Sequence, residues 1–135
     1  MRVLVDTSVW SLALRRSRPT ADLIVRELTE LVQDGRVAIM GAIRQEVLSG
    51  VKEVSQFQTL RDRLRAFPDI GMETADFEQA AHFFNRCRAR GVQGSNTDFL
   101  ICAAASRRDL AIFTTDGDFS RFQRVVPFKL HAPRA

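Results

Sequence analysis

The opening stretch Arg2-Val3-Leu4-Val5-Asp6-Thr7-Ser8 decides how the fold is read. Val3, Leu4 and Val5 form an apolar run with no polar alternation, which predicts a strand over 2–5 buried on both faces. Strands of that kind belong to parallel sheets, whose neighbours are reached through helical crossovers. Outward from this run the chain supplies such crossovers. Helices are predicted over 8–14, from about 21 to 33 after Pro19 with Thr20 as N-cap, and over 42–49 ended by Gly50. In the second, Ile24, Leu28, Leu31 and Val32 share one face, and Gly35 fits its stop. Phe57, Leu60, Leu64 and Phe67 recur at helical spacing up to Pro68. A long helix capped by Thr74 follows, with Phe77, Ala80, Ala81, Phe84 and Cys87 on its apolar side and Gly91 at its end. The last predicted helix, 96–107, is nearly apolar all round. Further strands are expected at 37–40, 69–72, 111–114 and 127–130. The expectation is an α/β domain over 1–135, a mainly parallel five-stranded sheet flanked by helices, without repeats or linkers.

Composition supports one compact domain. The 135 residues are 45% hydrophobic and 27% charged, outside the disordered regime. No apolar run approaches the roughly 18 residues of a membrane span, and the opening run is too short for an export signal. No membrane association and a cytoplasmic location are therefore expected. Cys87 and Cys102 match no zinc or redox spacing, and His82 and His131 are isolated, so any metal would be held by oxygen. The net charge of +4 favours an anionic partner without identifying one. Of 20 cations, 18 are arginine, which suits phosphate contact and equally follows from codon bias.

Ligands of open α/β sheets bind beyond the carboxyl ends of the strands, and acids stand at those places. Asp6 directly follows the first strand, where it could equally cap the helix beginning at Thr7. Asp116 follows the strand ending at Thr114, although Asp116-Gly117 also fits an ordinary turn. Glu46 shares a helix face with Ile43, Val47 and Gly50, where a carboxylate needs a cation or donors; an arginine partner is the structural alternative. Asp98 closes Ser95-Asn96-Thr97-Asp98, a capping box that requires no catalysis. If the four met, carboxylates ~5 Å apart would repel by roughly 3 kcal/mol per pair at a dielectric near 20. A cation or raised pKa values must then accompany them, and an all-oxygen set suits Mg²⁺ or Mn²⁺.

Four segments, in order, carry a resemblance to PIN-domain ribonucleases of the VapC toxin kind: Val3-Leu4-Val5-Asp6-Thr7-Ser8-Val9-Trp10, Glu46-Val47-Leu48-Ser49-Gly50, Gly94 to Ala103, and Thr114-Thr115-Asp116-Gly117-Asp118-Phe119. That resemblance implies a Rossmann-like three-layer sandwich with a five-stranded parallel sheet. It implies a Mg²⁺- or Mn²⁺-dependent endoribonuclease, neutralised by a cognate antitoxin and commonly a homodimer. Carried over, Asp6, Glu46, Asp98 and Asp116 become the catalytic acids, with Asp6, Asp98 and Asp116 as metal ligands and Glu46 acting on the attacking water. Thr7, Ser8 and Thr115 support the site, and Asp118 competes for the role of Asp116. Arg15, Arg16 and Arg18, the run Arg61 to Arg65 and the run Arg86 to Arg90 are candidates for holding RNA, although solvated helix faces explain the two runs better.

Rival readings fit less well. A phosphatase of the haloacid dehalogenase type requires a second Asp at the position of Ser8, and a Toprim-like nuclease requires Glu where Asp6 stands. Gly91-Val92-Gln93-Gly94 resembles the GXXG of a KH module, but a helix stop followed by a loop accounts for it. The remaining alternative is a catalytically silent PIN-like domain that binds RNA or protein.

Overall fold

The computed structural model describes residues 1–14 and 22–134. The predicted Thr20 cap, Pro19, Arg15, Arg16 and Arg18 lie outside the described residues. Four short strands, β1 (Val3–Val5), β2 (Val37–Ala38), β3 (Ala111–Phe113) and β4 (Lys129–Leu130), pair in parallel in the order β2-β1-β3-β4. Seven helices are described: α1 (Thr7–Ala13), α2 (Asp22–Gln33), α3 (Gly41–Ser49), α4 (Val54–Leu64), α5 (Thr74–Ala89), α6 (Asn96–Arg108) and α7 (Asp118–Gln123). The α/β class is as expected, with four strands among the described residues rather than five. The strand expected at 69–72 shrinks to one bridge, Ile39 to Asp69, with the Ile70 N–H donating to Ile39 O at 2.9 Å. Pro68 has no N–H to donate, and Gly71 contributes no side chain to a pleated surface.

Val3, Leu4 and Val5 are fully buried because β1 has a paired strand on each side and helices over both faces. The chain leaves β1 towards β2, then returns past β1 to reach β3. Right-handed crossovers running in opposite directions place their helices on opposite faces and open a crevice between β1 and β3. In α6, Phe99 and Ile101 to Ala105 are buried, as its apolar composition requires.

Helix ends correct several expectations. The N-cap of α5 is Glu73 rather than Thr74, in a capping box with Asp76. Beyond α5, the N–H of Val92 donates to Cys87 O (2.8 Å) and that of Gly91 to Arg88 O (3.0 Å), with Gly91 at φ +75°. This paired stop is why Gly91 is a glycine, and it accounts for half of the GXXG likeness. The buried face of α5 is Asp76, Ala80, Phe83 and Cys87, so Phe77 stands outside, 54% exposed, with Phe84 only partly buried. Val32 on α2 is likewise exposed. Helix α7 has no counterpart in the sequence reading, although Phe119 and Phe122 lie three apart and are both buried.

Candidate active site at the carboxyl edge of the sheet

Asp6 sits where the strand order reverses, its N–H donating to Phe113 O at 2.9 Å across the β1–β3 crevice. It occupies the N-cap position of α1, yet its side chain makes no capping bond. Instead Oδ2 accepts the Ser8 hydroxyl at 2.9 Å and the Thr114 hydroxyl at 2.8 Å. With both hydroxyl protons so committed, the 3.2 Å Ser8–Thr114 contact carries none of its own. The same two oxygens accept backbone N–H groups, Ser8 Oγ from Thr115 and Thr114 Oγ1 from Asp116, each at 3.0 Å. The loop after β1 and the loop after β3 are thereby stitched together. Asp6 is only 6% exposed, and among the described residues no cationic side chain pairs with it and no hydrogen bond reaches Oδ1. A buried carboxylate is costly unless donors or a cation answer it, and here the donors reach one oxygen only.

Asp98 reaches the same edge because α6 leads into β3, which places the first turn of α6 at the carboxyl end of the sheet. The capping box is real: Ser95 Oγ accepts the Asp98 N–H (3.0 Å) and Asp98 Oδ2 accepts the Ser95 N–H (3.1 Å). Close packing sets the turn, since a Cβ on Gly94 would lie 2.5 Å from the Phe122 ring. Burial raises the Asp98 carboxyl above its ordinary range; the Ser95 hydrogen bonds pull it down, and the charges of Asp116 and Asp6 push it further up. Asp6 and Asp116 therefore both stand near enough for their charge to act on Asp98. One turn along, burial first and then the charges of Asp98, Cys87 and Asp6 raise the Cys102 thiol, which disfavours its thiolate.

Asp116 is exposed, and its Oδ1 accepts the Asp118 N–H at 2.9 Å, so the turn reading also holds. Asp118 is bound by Arg121 Nη2 at 2.6 Å. Asp116 is thus the acid that acts on Asp98, while Asp118 is neutralised locally. Glu46 projects from α3 and is exposed, so no burial cost arises. Its hydrogen-bond partner is the Thr7 hydroxyl (2.9 Å), while Arg44 of the same helix serves Asp69 and Phe67 O. The arginine partner weighed from sequence is absent among the described residues. Among the described residues, Glu46 is joined to the other acids only through Thr7, which adjoins Asp6.

Thr114 is the residue the sequence reading passed over; its only signal was a hydroxyl at the end of an apolar strand. Thr115 contributes its backbone N–H, and Thr7 and Ser8 their hydroxyls. The donor chemistry suits a hard divalent ion: carboxylates and hydroxyls, with one oxygen of Asp6 uncommitted. The carboxylates are not closed into a cage, for among the described residues no three His, Cys, Asp or Glu side chains are grouped to hold an ion. In the arginine runs, Arg61 pairs with Asp62 and Arg86 donates to Val125 O.

The PIN domain family profile matches residues 3–125. A VapC ribonuclease of Mycobacterium bovis is 31% identical over 126 residues, covering 92% of this chain and 93% of that protein. Ribonuclease VapC11 of Mycobacterium tuberculosis matches at the same identity and coverage. Among solved structures, VapBC2 from Rickettsia felis bound to a promoter DNA fragment superposes with a TM-score of 0.77 at 18% identity, covering 97% of this chain and 98% of that one. FitAcB from Neisseria gonorrhoeae gives 0.75 at 20% identity, with 94% and 96% covered. At these identities the two structural likenesses concern the fold.

Proposed function

This chain belongs to the PIN-domain family, and from that premise we propose that it is a divalent-metal-dependent endoribonuclease, the toxin of a toxin–antitoxin pair. The names of its curated relatives support ribonuclease activity, and the partner-bound structural neighbours support a cognate antitoxin. In this reading residues 1–135 act as one domain, as a homodimer and in the cytoplasm; among the described residues no helix is long and apolar enough to cross a membrane. The observation that carries the proposal is Asp6: buried, with no cationic partner among the described residues, held by two hydroxyls, and close enough for its charge to act on Asp98.

Asp6, Asp98 and Asp116 would hold Mg²⁺ or Mn²⁺. When bound, such an ion promotes ionisation of water and offsets charge at the phosphoryl group during in-line displacement. The chain's own groups do the rest. Ser8 and Thr114 keep Asp6 from rotating towards its capping position. Thr7 holds Glu46, whose exposed carboxylate takes the proton of the attacking water. Water adds to phosphorus as the bond to the 3′ oxygen breaks; that oxygen takes a proton from solvent, to which Glu46 returns its own, leaving a 3′-hydroxyl and a 5′-phosphate.

The open arrangement of the acids is the one observation that favours a catalytically silent, RNA- or protein-binding relative. A broad RNA pool incubated with Mg²⁺ or Mn²⁺, or with EDTA, separates the two. The wild type cuts RNA only with metal, and Asp6→Asn or Asp98→Asn lowers the rate by about a hundredfold or more. RNA bound but left intact by the metal-loaded wild type would defeat the nuclease reading.

A further inference from the structure

Helix α5 carries more apolar surface than its core face uses. Phe77 and Phe84 line, with Leu100 of α6, a groove of about 420 Å³ between the two helices. Three polar side chains, Asn85, Asn96 and Thr97, line the same groove. Among the described residues, the Asn96 amide and the Thr97 hydroxyl make no side-chain hydrogen bond, and Asn85 uses only its carbonyl oxygen, towards Arg88. We propose that this groove is a nucleobase subsite, holding one base of the RNA strand next to the scissile phosphate; the inference rests on the nuclease reading above.

Four features favour a heterocycle over a protein segment. The volume lies within the range of small-molecule sites, roughly 300–1,000 Å³. An apolar helix laid in the groove would strip water from three polar groups and return no partners, whereas the edge of a base offers donors and acceptors to amides and a hydroxyl. A single-stranded base stacks on an aromatic face, and Phe77 presents one at 54% exposure. The Arg88 guanidinium stands 5.5 Å from the Phe84 ring centroid and sets a positive charge beside the groove, which suits an anionic strand. Position agrees as well. Asn96 and Thr97 belong to the first turn of α6, the turn that carries Asp98, so base and scissile phosphate would lie on either side of it.

Phe77→Ala and Asn85→Ala test this, since both side chains are exposed and unchanged melting temperatures will show that the fold survives. Two readouts are used: sequencing of the ends produced from a randomised RNA pool, and anisotropy of labelled oligoribonucleotides that differ at one base, in EDTA so that nothing is cut. Each variant is expected to weaken binding of the preferred oligonucleotide by roughly fivefold to a hundredfold and to flatten base preference at one fixed position beside the cut. Unchanged base discrimination in both variants overturns the subsite while leaving the nuclease standing. A wild type that discriminates bases in anisotropy but never cuts sinks the nuclease reading instead. Sedimentation adds a third arm: if Phe77→Ala turns a dimer into a monomer that keeps its base preference, the groove seats a second copy and the proposal falls.

Discussion

Asp6 and Asp76 are both buried carboxylates, and they keep opposite company. Asp76, with no exposed surface, receives Arg107 at 2.6 Å, Arg108 at 2.6 and 2.7 Å, and the Glu73 N–H at 2.7 Å. Arg108 also donates to Gly71 O, so the segment before α5, α5 itself and the end of α6 are fastened at one point. Asp6 receives two neutral hydroxyls on one oxygen and no cation among the described residues. Burial alone therefore says little about a carboxylate. What distinguishes a structural acid from a functional one is whether the fold has already supplied its counter-charge.

The largest expected effect is at Asp76. Asp76→Asn leaves two arginines facing a neutral amide, and breaking a buried pair costs about 3–5 kcal/mol. Urea unfolding should register that loss, with residual cleavage per folded molecule unchanged. A loss within 0.5 kcal/mol would erase the contrast with Asp6. Next comes metal. A divalent ion at a hundred times its dissociation constant stabilises by about 2.7 kcal/mol, which raises the melting temperature of the wild type and much less that of Asp98→Asn. Equal shifts in both proteins would move the ion elsewhere.

Acid should separate the two kinds of carboxylate by sign. Hydrogen bonding from Arg108 first, then from the Glu73 N–H and Arg107, outweighs burial and holds Asp76 well below the usual carboxylate range. Its stabilisation is complete above the unfolded value, about 4, and is lost as pH falls through that value and below. Asp98 is raised by burial and by its acidic neighbours, so without metal its contribution is present below about 4 and is lost as pH rises through its folded value. Stability differences between wild type and each Asp→Asn variant should therefore move oppositely with pH; parallel curves would break the comparison. The smallest effect is Ser95→Ala, which removes one cap bond at about 1 kcal/mol.

Much of this was legible along the chain. The strand expected at 2–5, the apolar α6 and the Ser95–Asp98 box depend on neighbours within a turn or a pleat, and the structure reproduces them, the strand as Val3–Val5. Helix α7 was not legible, because six residues are too few for a period to show. Phe77 fits the apolar stripe of α5 as well as Phe83 does, and only the angle at which α6 lies against α5 decides which is covered. The Asp76 lock joins residues 31 and 32 apart, and no local pattern marks such a pair.

The residues on their own determined where acids, caps and apolar runs stand, since propensity and periodicity act over a few bonds. The tertiary structure alone decided that Asp6 turns from its helix to Thr114, 108 positions away, and that, among the described residues, Asp118 rather than Asp116 is taken by an arginine. The physical reason is that a carboxylate's partners are chosen in space: crossovers between β1 and β3 bring the two loops together, and the pairing of Asp6 with Ser8 and Thr114 exists only in the folded chain.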